Sequence, residues 1–255
     1  MFIYNVRMNS FILKIIAIIA MTFDHVGYLI FGKLSFFNYI GRLAFPVFAY
    51  QISQGYSHTK NLKKYISRLA LFAFISQIPF VLFCTIAYKN SNVDVFQAVL
   101  TNHFGLNIFF TLLLGLFAIL LYDSCLKLKG NKIANVMLGV AIGVCLGFIG
   151  QFIKVDYGFY GVSIILLFHI FRDYKVWMAL SFAVATILKY SERIYILIVN
   201  NISAMTHIIL CLCTILPIIF ILLYNGKKGR NIKYLLYFFY PVHLLLIYVI
   251  YLLIN

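Results

Sequence analysis

The run Leu13-Lys-Ile-Ile-Ala-Ile-Ile-Ala-Met-Thr-Phe-Asp24-His25-Val-Gly27 places a carboxylic acid and an imidazole in an otherwise apolar helix. Ionisable groups in hydrocarbon are costly and normally face a polar cavity or a partner. An acid can anchor a cation, and imidazole is the side chain best suited to moving protons near neutral pH. Neighbours on a helix diverge by about 100°, so Asp24 and His25 must look to different partners. At about 1.5 Å rise per residue they lie roughly 20 Å from the start of the run, in its far half. Arg42, Asp156 beside Tyr157, and His243 in Tyr240-Pro241-Val242-His243 reach a similar level, so the five can line one cavity. A purely structural alternative pairs Asp24 with Arg42 and bonds the histidines to backbone carbonyls.

Two basic clusters offer different chemistry. Lys60, Lys63, Lys64 and Arg68 form one, and Lys227, Lys228, Arg230 and Lys233 the other. Either can hold the phosphates of a polyanionic ligand, and lipid anchoring or topology explains them equally well. His58, His103, His169 and His207 have no ligand-like spacing, so no metal site is expected. No HExxH, GxxxxGK or GxSxG motif is present. The five cysteines form no CxxC pair and read as packing residues.

The elements that must position these groups are membrane helices. The 255 residues are 64% hydrophobic and 11% charged, far from the balance of a water-soluble domain. Lys and Arg number 21 against 6 Asp and Glu, but they fall between apolar runs, which argues for cytoplasmic loops and lipid headgroups and against nucleic acid. The first apolar run reads as a span and not a signal peptide, because no small-residue cleavage pattern follows it. Apolar stretches predict an all-α, polytopic bundle of about nine spans in a single domain over residues 1–255. The spans are Phe11 to Phe31, Phe37 to Tyr56, Tyr65 to Tyr88, Phe104 to Asp123, Ile133 to Ile153, Tyr157 to Phe171, Val176 to Lys189, Ser203 to Tyr224 and Ile232 to Ile254. The sixth and seventh are short enough to suggest a re-entrant hairpin, and Lys189 to Ile202 reads as an interfacial connector. With the N-terminus cytoplasmic, 15 basic residues fall inside, Arg7 among them, and 6 outside, Lys33 and Lys89 among them.

The chain resembles the TraX family, named for the conjugation protein that acetylates the N-terminus of F-type pilin. The stretches that carry the resemblance are Met21-Thr-Phe-Asp24-His25-Val-Gly27, Ile40-Gly-Arg42-Leu-Ala-Phe-Pro46 and Gly55-Tyr-Ser-His-Thr59 running to Arg68. Asp156-Tyr-Gly158, Tyr224-Asn-Gly226-Lys-Lys-Gly229 and Phe239-Tyr-Pro241-Val-His243 complete it, so it spans nearly the whole chain. A more distant similarity extends to membrane acyltransferases such as heparan-glucosaminide N-acetyltransferase. The resemblance implies transfer of an acetyl group from acetyl-CoA to an acceptor at the outer side of a bacterial inner membrane, either an exported peptide or an envelope glycan. It implies His25 as base or nucleophile, Arg42 as stabiliser of charge on the thioester carbonyl, Asp24 or Asp156 as orienting acid, and His243 as a second proton carrier. The basic clusters would then hold the coenzyme A phosphates. A solute transporter and a non-catalytic membrane scaffold are the competing readings.

Overall fold

A computed structural model describes residues 8–31, 35–87 and 95–254. Arg7, Lys33, Lys89 and the expected end of the third span at Tyr88 lie outside them, as does the side chain of Lys233. The described residues form twelve helices and no strand. These are α1 (Ser10–Phe31), α2 (Phe36–Gly41), α3 (Ala44–His58), α4 (Leu62–Ala87), α5 (Val95–Leu100) and α6 (Ile108–Leu126). They continue with α7 (Lys132–Phe152), α8 (Gly158–Ile170), α9 (Lys175–Val199), α10 (Met205–Ile215), α11 (Pro217–Leu222) and α12 (Lys233–Ile254). Six segments are long and apolar enough to cross a membrane: α1, α4, α6, α7, α10 with α11, and α12. The protein is a multi-pass membrane protein.

Three expectations change in detail. The second expected span is divided at Arg42 and Leu43 into α2 and α3. The seventh is not short, and the expected connector from Lys189 is helix as far as Val199. Its charged residues interrupt hydropathy and not the backbone ladder, because Lys, Glu and Arg are good helix formers. Tyr190, at the start of that stretch, is buried and its hydroxyl meets Thr214 Oγ1 at 3.0 Å. The sixth span is indeed short, 13 residues in α8.

The chain divides into two compact units. The first holds α1, α2, the start of α3 and α9 to α12. Its beginning is tied to the loop before α12: the Met8 amide donates to the Leu223 carbonyl at 3.1 Å, and the Ser10 amide to that of Lys227 at 2.9 Å. Lys227, Lys228 and Arg230 therefore stand, exposed, at the end where α1 starts.

The second unit holds most of α3 and α4 with α5 to α8. Its α7 carries glycines at 139, 143, 147 and 150, all buried on one face, where they receive Tyr122, Leu166, Phe159 and Val155. Small residues permit such close helix approach in a membrane, where packing replaces the hydrophobic drive. The far face of α7, with Met137, Val140, Val144 and Phe148, is exposed and apolar, as a lipid-facing surface requires. At one end, Asn107 caps α6 and shares Gln77 with its own amide, while Leu106 bridges to Val155.

A Cβ on Gly139 would lie 2.8 Å from the Tyr122 ring and 3.2 Å from its Cα. Gly139→Val should cost about 1–3 kcal/mol through overpacking. Thermal unfolding in detergent should show a lower Tm for Gly139→Val and no change for Val140→Leu on the exposed face. An unchanged Tm for Gly139→Val would contradict this packing.

Candidate functional site

The first unit brings four of the five expected residues into two adjoining contacts. In the first, Arg42 Nη2 donates to Asp24 at 2.9 Å and 3.2 Å to the two carboxylate oxygens. Asn38, fully buried in α2, donates from Nδ2 to the same carboxylate at 3.1 Å and to the Asp24 carbonyl at 3.0 Å. Its Oδ1 accepts from the Ser35 amide and hydroxyl, both at 2.9 Å, closing a capping box at the start of α2. Tyr28 hydrogen-bonds to Arg42 as well.

Close approach of α1 and α2 makes this node possible. A Cβ on Gly27 would lie 2.8 Å from that of Phe37, and one on Gly41 would overlap the Asp24 carboxyl group. Asp24 is thus spent on Arg42 and Asn38, which is the ion pair of the structural reading. In this state Arg42 faces a carboxylate.

The second contact joins α1 to α12. His25 Nδ1 and His243 Nε2 are 2.7 Å apart, and His243 Nδ1 is 2.8 Å from the Phe239 carbonyl oxygen. A carbonyl only accepts, so His243 carries its proton on Nδ1. Its Nε2 is then an acceptor, and the proton between the rings belongs to His25 Nδ1. The neutral His25 ring consequently holds its lone pair on Nε2. Phe239 stacks on His243 with centroids 4.8 Å apart, and Tyr240 flanks both imidazoles. Pro241, within α12, lacks an amide proton and cannot donate to the Tyr237 carbonyl, so the helix is locally relaxed beside His243.

Asp156 belongs to the second unit. Its amide donates to the Leu106 carbonyl at 2.8 Å, and its own carbonyl accepts from the Thr111 hydroxyl. Of the basic clusters, Lys60, Lys63 and Lys64 are exposed around the α3–α4 turn and Arg68 is half-buried one turn further along α4. No group of three or more His, Cys, Asp or Glu side chains suited to a metal occurs among the described residues.

Sequence reasoning missed Asn38, the hub of the first contact, although Ser35-x-x-Asn38 has the spacing of a capping box. The structural alternative expected backbone carbonyls as partners of the histidines, and for His243 the structure supplies that of Phe239.

The model of the TraX protein family matches residues 10–251. The chain belongs to the TraX family. A TraX-type relative, the probable fimbrial assembly protein FimC of serogroup H1 from Dichelobacter nodosus, is 30% identical over 95% of this chain and 96% of its own length. An uncharacterized protein of Rickettsia prowazekii, strain Madrid E, is 28% identical over 88% of this chain and 83% of its own. No solved structure matches significantly. Within this TraX chain, both contacts lie inside the matched residues.

Removing one member of a half-buried charge pair leaves the other poorly compensated. Asp24→Asn or Arg42→Gln should each destabilise by about 1–3 kcal/mol. The double variant should lose clearly less than the sum, because one interaction is counted twice. Unfolding midpoints of the four proteins in detergent test this, and additive losses would contradict the pairing.

Proposed function

We propose that the protein is a membrane-embedded acyltransferase that moves an acetyl group from acetyl-CoA to an amine or hydroxyl of an acceptor across the membrane. The observation that carries the reading is the chain of contacts from the Phe239 carbonyl through His243 to His25, which fixes the neutral tautomer of His25 with its proton on Nδ1. A general base needs a defined tautomer and somewhere for positive charge to spread. His25 Nε2 takes the proton of the attacking amine as its nitrogen bonds to the thioester carbonyl carbon. Protonated His25 is stabilised by the neutral His243, whose Nδ1–H is in turn held by the Phe239 carbonyl. Collapse of the tetrahedral intermediate breaks the carbon–sulfur bond, and the proton passes from His25 Nε2 to the thiolate.

Topology supports this use. Positive-inside charge favours a cytoplasmic N-terminus and about nine crossings. Lys227, Lys228 and Arg230 then face the cytoplasm as phosphate-binding cations, and Lys233 adjoins them in sequence. His25 lies 15 residues beyond the start of α1, roughly 22 Å along the helix. A ligand with phosphates at one end and a thioester on an extended arm suits that separation. The fimbrial assembly name of a relative favours an exported peptide over a glycan as acceptor.

Purified protein incubated with labelled acetyl-CoA and a membrane extract should yield a labelled peptide. His25→Ala should lower the rate by about 10²–10⁴, the usual contribution of general base catalysis, with coenzyme A binding unchanged. His243→Ala should lower it less. Solute uptake into proteoliposomes without donor turnover would replace this reading by transport.

A further inference from the structure

A second imidazole, outside the site above, is held in the second unit. His169, next to last in α8, is 3% exposed, and its Nε2 lies 2.9 Å from Asp123 Oδ1 on α6. Tyr56 of α3 donates its hydroxyl to the same carboxylate. The rings of Tyr56 and Tyr122 meet the imidazole edge-on, with centroids 5.2 and 6.4 Å away. Arg172, just past the end of α8, places Nη1 3.4 Å from His169 Nδ1 and 3.3 Å from Nε2. The guanidinium is 39% exposed and touches the exposed Asp173 through Nε at 3.5 Å.

This cluster sits at the basic end of its unit. Tyr56 is four residues before Lys60, and Asp123 is four before Lys127. Lys60, Lys63, Lys64, Lys127, Lys129 and Lys132 are all exposed there, around the turns that follow α3 and α6. Such a field draws anions, and an exposed guanidinium is the group that grips phosphate by paired hydrogen bonds.

We propose that this end of the second unit binds a phosphate-bearing anion, with Arg172 as anchor and His169 as a proton acceptor that becomes charged when the anion arrives. Before binding, the Arg172 cation lies against the ring and opposes a second positive charge. An anion that engages Arg172 neutralises that opposition, and the Asp123 carboxylate then favours the imidazolium. Tyr56 keeps the carboxylate turned towards His169. Among the described residues, the titratable and charged groups facing His169 are Tyr56 from α3, Tyr122 and Asp123 from α6, and Arg172. The site stands independently of acyl transfer, since it can bind in a protein that transfers nothing.

The test is calorimetric titration of inorganic pyrophosphate into the full chain in neutral-lipid nanodiscs at pH 7, in two buffers of different ionisation enthalpy. Wild-type protein should take up more protons than His169→Gln, by as much as about one per bound anion. Arg172→Gln should weaken binding about tenfold, and Arg172→Lys should recover part of it. Melting curves show whether each variant is folded, and Asp123→Asn, which leaves the ring in place, should also reduce the uptake. Discs containing phosphatidic acid distinguish the source of the phosphate. Competition that depends on Arg172 assigns the site to a lipid headgroup, and its absence assigns it to a soluble ligand. Equal proton uptake by wild-type and His169→Gln proteins, or binding indifferent to Arg172, would overturn the proposal.

Discussion

The carboxylate of Asp24, placed in an apolar helix, is the constraint on which the first unit turns. A charge there must be met by a cation and by hydrogen bonds. Both come from one short stretch, Ser35 to Arg42, which returns from α1, forms α2 and delivers Asn38 and Arg42 to the same carboxylate. Small residues make the return tight enough, since Gly41 lies where any side chain would strike Asp24. Because successive helical residues diverge by about 100°, fixing Asp24 towards α2 turns His25 towards α12. The ion pair is thus structural, and it sets the side of α1 from which His25 meets its partner.

The two imidazole sites are organised differently. His25 is oriented by a neutral imidazole backed by a carbonyl, an arrangement that fixes a tautomer without an adjacent carboxylate. Its ring can take a proton and share the charge without first being locked into an ion pair. His169 has a carboxylate on one side and a guanidinium on the other. The partners supplied to the two rings are therefore different.

Helix α7 shows how the second unit provides a rigid surround. Its glycine face lets α6 and α8 approach, bringing Asp123 and His169 within hydrogen-bonding distance near the ends of their helices. At the other end of the same helices, Asn107, Gln77 and the Leu106 to Val155 bridge satisfy loop amides and carbonyls that lipid cannot.

Class, membrane character and most helix positions were legible in the sequence because long apolar runs have few alternatives to spanning helices. Asp24, His25, Arg42 and His243 were legible as candidates too, because ionisable residues in such runs stand out against hydrocarbon. Helix ends were less so: Ser191-Glu192-Arg193 looked like a connector, yet charge does not break a backbone ladder. Which partner each residue takes was decided only by tertiary structure. By sequence Asp24 and His25 had to look to different partners, with Arg42, Asp156 and His243 at a similar level. The return of α2 and the stacking of α12 on α1 gave the acid to Arg42 and the imidazole to His243. His169 entered the sequence reading only as a histidine without ligand-like spacing, since Asp123 is 46 residues away along the chain and only helix packing joins them. Periodicity and hydropathy are local properties of a chain. The proton-bearing nitrogen of a histidine depends on a neighbour that folding alone brings to it.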